Sequence, residues 1–209
     1  MVKPSGKPLF ITFEGIDGCG KSTQALMVFQ YLSSLGYKVK LLREPGSTHV
    51  AEKIRAILLD KRNHIADMTE LLLYEASRAE LTAKEIAPLL AKGTIVLCDR
   101  FYDSTTAYQG FGRRLHTRMV RGLNKVAVGD INPDLTFLYD IDLKTALGRL
   151  GKSKDRLESQ SKAFFQRVRR GFLEIARKDR RRVKVIDAAQ SIEVVFEETQ
   201  KILLKKLNK

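Results

Sequence analysis

Short apolar segments alternate with longer stretches of helical periodicity along this chain. The apolar segments are mostly continuous runs rather than strict alternations, and they predict strands at 8–14, 38–43, 94–99, 134–141 and 183–187. The stretches between them predict helices at about 21–35, 49–60, 67–91, 115–128, 143–150, 159–178 and 191–207. Continuous apolar strands are typical of a parallel sheet that is covered on both faces. The alternation therefore predicts an α/β fold of three layers, α/β/α, with a five-stranded parallel sheet and helices on both faces.

A glycine-rich segment follows the first predicted strand. Residues 15–22 read GIDGCGKS and fit the pattern G-x-x-x-x-G-K-[ST], with a strand before them and a helix after them. In this phosphate-binding loop, or P-loop, backbone N–H groups surround the phosphates and the positive helix end adds attraction. Lys21 would reach the β- and γ-phosphates, and the Ser22 hydroxyl would bind Mg²⁺. The pattern predicts binding of ATP by Gly15, Ile16, Asp17, Gly18, Cys19, Gly20, Lys21, Ser22 and Thr23, with Mg²⁺ as the accompanying ion.

A carboxylate ends the third predicted strand, where a magnesium partner is expected. Asp99 follows an apolar run and precedes Arg100. Ligands of parallel sheets bind beyond the carboxyl ends of the strands. A carboxylate beside a guanidinium suits a metal ion and a phosphate held side by side. We therefore predict that Asp99 completes the metal site with Ser22; a helix cap or turn residue is the structural alternative.

Three further features favour a small-molecule kinase over other nucleotide-binding proteins. A switch GTPase would carry N-K-x-D, but the nearest segment, 124–127, reads NKVA. Arginines that could form a second anion site lie near strand ends, at Arg43, Arg78 and Arg100. The segment 148–157 is glycine-punctuated and basic, as expected of a lid that brings charge to the transition state and excludes water.

Longer segments resemble the bacterial thymidylate kinase family, which belongs to the P-loop NTPase fold. They are FEGIDGCGKST at 13–23, LLREPGST at 41–48, LLLYEASRAE at 71–80, DRFYDSTTAYQG at 99–110, DRLESQSKAFFQRVRRGFLEIA at 155–176 and VIDAAQSIEVV at 185–195. The resemblance covers nearly the whole chain, and the segment 99–110 is its most specific part. It implies ATP-dependent phosphorylation of dTMP to dTDP in dTTP synthesis, and a homodimer.

The resemblance also implies which residues bind the substrate. Tyr74 stands where the family usually has a phenylalanine stacked on thymine, and Arg78 would read a thymine carbonyl. Arg100 would bind the acceptor phosphate, Asp17 would lie near the sugar 3′-hydroxyl, and Tyr108 would discourage a 2′-hydroxyl. Further positions expected to line the substrate or its loop are Arg43, Thr105 and Gln109. Packing within helices or a solvated charge is the structural alternative for several of these.

The sequence departs from the family pattern at the phosphate loop. Ser47 replaces a usual glycine, and Gly18 and Cys19 stand where some members place an arginine. This resembles the branch in which the lid supplies the catalytic arginine, with Arg149 and Arg156 as candidates beside Lys21 and Arg100. The electropositive loop could lower the thiol pKa of Cys19, although a small structural residue is the favoured interpretation.

Composition changes this interpretation little. The formal net charge of +14 could attract nucleic acid, but the basic residues are spread out and no nucleic-acid-binding motif accompanies them. Two cysteines, no long apolar run and no signal sequence predict a cytoplasmic protein without membrane contact. With no repeat or linker, we expect a single domain over 1–209. A kinase of dUMP, CMP or AMP, and an NTPase stimulated by nucleic acid, remain as alternatives.

Overall fold

Five strands form one parallel sheet in the computed structural model, which describes residues 8–149 and 155–207. The strands are β1 (Phe10–Glu14), β2 (Val39–Arg43), β3 (Ile95–Asp99), β4 (Leu135–Asp140) and β5 (Val183–Asp187). Their order across the sheet is β2-β3-β1-β4-β5, and every neighbouring pair is parallel. The predicted α/β fold and its five strands are confirmed.

The helices lie close to their predicted positions. They are α1 (Lys21–Ser34), α2 (His49–Leu59), α3 (Asp67–Leu81), α4 (Ala87–Ala91), α5 (Tyr102–Thr105), α6 (Thr117–Val128), α7 (Leu143–Arg149), α8 (Lys162–Lys178) and α9 (Ile192–Leu207). A π-helical segment, Thr82–Ile86, joins α3 to α4, so the helix predicted at 67–91 is one helical stretch. Within the described ranges, no helix is both long enough and apolar enough to cross a bilayer.

One helical segment was absent from the prediction. Helix α5 continues into a second π-helical segment, Thr106–Gly112, so that 102–112 is helical throughout. Its sequence, YDSTTAYQGFG, is rich in β-branched, aromatic and glycine residues with low helix propensity. Tertiary packing outweighs that propensity, since a Cβ placed on Gly112 would lie within 3 Å of Phe164 and Val168 on α8.

Alternate residues of the central strands enter two apolar clusters. Ile11, Phe13 and Leu97 belong to the larger cluster, whereas Phe10 and Val96 belong to the other. Successive side chains of a strand point to opposite faces of its sheet. Both faces are therefore covered, which explains why β1 and β3 are mostly apolar and carry their charged residues, Glu14 and Asp99, at their carboxyl ends.

Candidate active site

The phosphate-binding loop is closed against β4 and α7. Gly15 has φ 142°, and a Cβ there would lie 2.6 Å from the Tyr139 carbonyl oxygen. Gly18 has φ 81°, and a Cβ there would collide with the Ala146 carbonyl of α7. Helix α1 begins at Lys21, directly after the loop. The predicted glycines are needed both for their backbone angles and for close packing of the loop.

The Asp17 carboxylate joins the cations on the two sides of the site. Its Oδ1 lies 3.6 Å from the Lys21 ammonium and accepts a very short hydrogen bond from Arg100. Its Oδ2 accepts a 2.7 Å hydrogen bond from the Tyr108 hydroxyl. Burial alone would raise the pKa of Asp17, but Arg100 and Lys21 outweigh burial and hold that pKa below its ordinary value. An ionised carboxylate thus connects the residue predicted to bind ATP with the residue predicted to bind the acceptor.

Arg100 is held in an unusual backbone conformation. Its φ is 71°, a left-handed value that is rare for a residue with a side chain. The guanidinium donates hydrogen bonds to the Gly15 carbonyl at 2.9 Å and to Ser104 Oγ at 3.1 Å. It also lies 5.2 Å from the centre of the Tyr108 ring. These contacts hold Arg100 beside the phosphate-binding loop.

The predicted magnesium ligands lie together. Ser22 Oγ donates a very short hydrogen bond to Asp99 Oδ2. Asp99 Oδ1 is buried and has no hydrogen-bond partner among the residues that the structure describes. Mg²⁺ is usually bound by one or two carboxylates together with water and substrate phosphates. A hydroxyl and a carboxylate with a spare oxygen therefore fit this ion.

A cleft of about 370 Å³ opens at the carboxyl ends of the strands. This volume lies in the usual range for small-molecule sites. The residues that were predicted from the sequence and that line the cleft are Asp17, Lys21, Ser22, Arg43, Tyr74, Arg78, Asp99, Arg100, Thr105, Tyr108 and Gln109. The structure therefore brings most of the predicted site together.

Arg78 is fully buried in the wall of the cleft, and all of its N–H groups have acceptors. It pairs with Glu44 and with Glu75, and it donates to Asn124 at 2.9 Å and to Thr105 at 2.6 Å. Burial lowers the pKa of Arg78, but Glu44 and Glu75 outweigh burial and raise that pKa above its ordinary value. A thymine carbonyl could bind this permanently charged group only by sharing or replacing one of these acceptors.

Glu70 fixes the orientation of Gln109. Its carboxylate is fully buried and pairs with Arg113 at 2.9 Å and with Arg156 at 2.6 Å. Burial raises the pKa of Glu70, but bonds from Arg113 and Gln109 outweigh burial and lower it. An ionised carboxylate only accepts hydrogen bonds, so Gln109 must turn its Nε2 toward Glu70, at 2.8 Å. The Gln109 amide oxygen then faces away from Glu70.

The two candidate lid arginines lie outside the lining of the cleft. Arg149 donates a 3.1 Å hydrogen bond to the Ala188 carbonyl. Arg156 donates to the Leu58 carbonyl at 2.7 Å in addition to its ion pair with Glu70. The other basic lid residues, 152 and 154, lie outside the described part of the chain. In this conformation both arginines therefore bind the protein itself.

Arg43 and Cys19 have mainly structural surroundings. The Arg43 side chain is about half exposed and pairs with Glu52 at 3.0 Å, so it supports the loop after β2. Burial raises the pKa of the Cys19 thiol and outweighs the nearby Lys21. The electropositive loop therefore does not activate Cys19, and the small structural residue remains the better interpretation.

Sequence reasoning missed several polar residues that support the site. They are Glu44, Glu70 and Ser104, each bonded to a residue that was predicted, and Glu14, which is bonded to Ser104. A signal existed for Glu14, because a charged residue at the end of the apolar segment LFITFE is unusual in a buried strand. Glu44 and Glu70 depend on contacts between distant segments, and so does the bond between Ser104 and Glu14.

A phosphate-binding loop that faces the partly buried Arg100, in a cleft also lined by Tyr74 and Tyr108, defines a P-loop phosphotransferase acting on nucleotides. A family model described as thymidylate kinase matches residues 13–199. The thymidylate kinase of Trichlorobacter lovleyi is 47% identical over 189 residues, which cover 86% of this chain and 89% of that protein. The thymidylate kinase of Thermoanaerobacter sp. strain X514 is 44% identical over 202 residues, covering 96% and 100%. The chain belongs to the thymidylate kinase family.

A solved structure agrees with this assignment. The crystal structure of thymidylate kinase from Ehrlichia chaffeensis is similar with a TM-score of 0.79 and 40% sequence identity. The similarity covers 94% of this chain and 98% of that one. The resemblance stated from the sequence motifs is confirmed.

Proposed function

We propose that the protein transfers the γ-phosphoryl group of ATP to dTMP, giving dTDP and ADP. The observation that carries the proposal is the meeting of Lys21 and Arg100 at the Asp17 carboxylate, within a cleft that Tyr74 also lines. One cation belongs to the phosphate-binding loop and the other follows β3. Two anionic groups bound to these cations would lie next to each other.

Charge and alignment account for the chemistry. The acceptor oxygen belongs to a phosphate and is already ionised, so it needs little help from a base. Catalysis then consists of holding the two phosphates in line and stabilising the charge on the transferring group. Lys21 and Arg100 would supply positive charge from fixed positions, which costs no reorganisation during the reaction.

Magnesium would be held by Ser22 and Asp99. The spare oxygen of Asp99 and its contact with Ser22 support this assignment. When bound, the ion neutralises phosphate charge. The residues of the chain contribute one hydroxyl and one carboxylate, which suits the incomplete protein coordination that Mg²⁺ prefers.

The base and sugar would bind on the Tyr74 side of the cleft. Tyr74 is buried and offers a ring face for stacking. Thr105 is bonded to Arg78, and the pair would face a carbonyl edge of the base. The Tyr108 hydroxyl is bonded to Asp17, which supports a deoxyribose site beside both groups, between base and phosphate.

Arg149 is the better candidate for the lid cation. Among the residues that the structure describes, its guanidinium makes one hydrogen bond, to the Ala188 carbonyl. Arg156 would have to leave an ion pair with the buried carboxylate of Glu70. Breaking a buried pair is costly, since the Glu70 charge would then be balanced by Arg113 without Arg156. We therefore expect Arg156 to anchor the base of the lid, and Arg149 to be the cation that the lid brings to the transferring phosphoryl group.

We also propose that the protein is a homodimer that works in the cytoplasm. Val50 and Ile57 are about half exposed on one face of α2, and Met68 and Leu72 are similarly exposed on α3. Apolar residues grouped in this way often mark a protein interface. Both cysteines are free and buried, which suits a reducing compartment. Light scattering should give roughly twice the chain mass of 23.7 kDa.

An acceptor panel tests the function directly. The purified protein should convert dTMP with ATP and Mg²⁺ much faster than AMP or CMP, measured as ADP release in a coupled assay. A preference for AMP or CMP would overturn the proposal. A parallel assay with added DNA or RNA should show no stimulation of ATP hydrolysis; strong stimulation would favour an NTPase that acts on nucleic acid.

A further inference from the structure

Glu14 is a buried carboxyl group beside the site. It is the last residue of β1 and only 1% of its surface is exposed. Burying a carboxyl group is costly unless hydrogen bonds compensate for the lost water. The hydrogen-bond partners of the Glu14 carboxyl group therefore indicate which segment it holds in place.

Both oxygens of Glu14 are bonded to the segment that follows Arg100. Oε1 accepts a 2.8 Å hydrogen bond from the Phe101 N–H, and Oε2 lies 2.6 Å from Ser104 Oγ. Ser104 Oγ also accepts a 3.1 Å hydrogen bond from the Arg100 guanidinium. A continuous chain of hydrogen bonds thus runs from Glu14 to the side chain of Arg100.

The end of β1 also fixes the backbone on both sides of Arg100. The Arg100 N–H donates to the Phe13 carbonyl at 3.0 Å, and the next N–H, that of Phe101, donates to Glu14. Arg100 lies between these two bonds with φ 71°. A left-handed residue costs roughly 1–2 kcal/mol, so it persists only where surrounding contacts impose it. Glu14 supplies one of those contacts through its side chain.

We propose that Glu14 is a positioning residue for phosphoryl transfer, which holds the Arg100 guanidinium where it meets the acceptor phosphate. It acts through the Phe101 N–H and the Ser104 hydroxyl. The inference rests on the proposed function, in which Arg100 binds that phosphate. Glu14 itself touches neither substrate.

The protonation of Glu14 suits this role. Burial and the nearby Asp103 raise its pKa to about 8, although Ser104 and Arg100 oppose the rise. A protonated carboxyl group keeps an acceptor oxygen for the Phe101 N–H, and the Ser104 hydroxyl can either donate or accept. Glu14 can thus orient Arg100 at neutral pH without cancelling the charge that attracts the acceptor phosphate.

Three variants separate this role from simple structural support. Glu14→Gln keeps an acceptor oxygen and a polar group at the end of the side chain, and Glu14→Met removes both. Ser104→Ala removes the hydroxyl that lies between Glu14 and Arg100 but keeps the bond from the Phe101 N–H to Glu14. Steady-state rates are measured with dTMP and ATP varied separately, and circular dichroism checks folding. We expect kcat/KM for dTMP to fall on the order of 10-fold in Ser104→Ala and further in Glu14→Met. Glu14→Gln should recover most of the loss, and the KM for ATP should change less than about twofold.

Thr199→Val provides a control for stability. Thr199 is buried on α9 and bonds the Tyr139 hydroxyl at 3.2 Å. This variant should lose stability with unchanged kinetics. If folded Glu14→Met and Ser104→Ala keep the wild-type kcat/KM for dTMP, or if the KM for ATP rises equally, the inference is overturned. If Glu14→Met does not fold, the kcat/KM of Ser104→Ala for dTMP tests the inference by itself. A wild-type protein without activity on dTMP would instead overturn the proposed function.

Discussion

Arg100 is the single residue on which the acceptor side of the site depends. Its guanidinium is fixed by the Gly15 carbonyl and by Ser104, and it pairs with Asp17. Arg100→Ala should lower kcat with dTMP on the order of 10²-fold, because a preorganised cation on the transferring group is lost. Arg100→Lys keeps the charge but not the planar fork, so it should recover only part of the rate.

Steady-state kinetics with dTMP and ATP check this prediction. Arg62→Ala is a suitable control, since Arg62 is an exposed arginine that pairs with Asp60 on the surface. It should leave the rate unchanged. An Arg100→Ala protein with the wild-type rate would mean that the acceptor phosphate binds elsewhere.

Gln109 should contribute to the choice of base. Since its Nε2 is turned to Glu70, its oxygen is left as a hydrogen-bond acceptor in a residue that lines the cleft. Thymine and uracil carry an N3–H donor, whereas N3 of cytosine is an acceptor. Gln109→Leu should therefore lower kcat/KM for dTMP and dUMP by roughly 10-fold and leave that for dCMP nearly unchanged.

The same assay on three acceptors tests that expectation. Gln190→Leu is the control, because Gln190 is exposed and bonds Asp187 away from the cleft. Equal losses on all three acceptors in Gln109→Leu would show that Gln109 supports packing rather than base recognition.

Some site residues are visible in the sequence because their chemistry follows from local order. Residues 15–22 need only a strand before and a helix after them, and Asp99 needs only the end of a strand. Ser104 and Glu70 could not be found in this way. Ser104 bonds a carboxyl group 90 positions away, and Glu70 bonds Gln109 at a separation of 39. Such partners depend on how distant elements pack.

At the scale of elements, the loop between β1 and α1 depends on its contact with α7. Gly18→Ala should disturb this contact, because the new Cβ would collide with the Ala146 carbonyl. Gly36→Ala is a matched control: Gly36 has φ 82°, close to the 81° of Gly18, but no atom lies within 4 Å of its added Cβ. Both variants share the backbone strain of roughly 1–2 kcal/mol, and only Gly18→Ala adds the clash.

We expect Gly18→Ala to weaken ATP binding by on the order of 10-fold or more, and Gly36→Ala to leave it unchanged. Calorimetric titration with ATP and urea unfolding would measure both effects. Equal ATP affinities in the two variants would show that the contact with α7 does not shape the loop.

Elements with strong apolar periodicity were predictable, and the helical segment 102–112 was not. Its residues are polar, aromatic or small, and they become helical because they pack on α8 and line the cleft. The position of the Arg156 side chain could not be predicted from the sequence either. Its neighbours in the chain predict a lid, but the partner that holds it is Glu70 on α3. Both cases show tertiary contacts outweighing local pattern.

At the scale of the whole molecule, the order of the strands assembles the site. β1 and β3 are central neighbours, and Phe13 pairs in register with Asp99. The phosphate-binding loop and Arg100 therefore begin side by side, although about 85 residues of chain separate them. The parallel sheet thus creates the proximity on which phosphoryl transfer depends.

Stability of the whole protein should fall as pH rises, and Glu14 should cause part of the fall. Its pKa is raised from 4.5 to about 8 by burial and by Asp103, against the opposing effects of Ser104, Arg100 and the Phe101 N–H. A carboxyl group with a raised pKa binds its proton more tightly in the folded state. Its contribution to stability is complete below its ordinary pKa and is lost as pH rises through the folded-state value. The stability that Glu14 contributes is therefore lost between about pH 4.5 and about pH 8.

Urea unfolding of wild type and Glu14→Gln near pH 5 and near pH 8 tests this linkage. The wild type should lose more unfolding free energy than the variant across the window, by an amount on the order of 3 kcal/mol. Burial also raises the pKa of Glu44, to about 7, but Glu44 is present in both proteins and cancels in the difference. Asp17 has a lowered pKa and therefore acts only at more acidic pH. If the wild type and Glu14→Gln lose equal unfolding free energy between pH 5 and pH 8, Glu14 is ionised in the folded protein. Its negative charge would then partly neutralise Arg100 throughout this pH range.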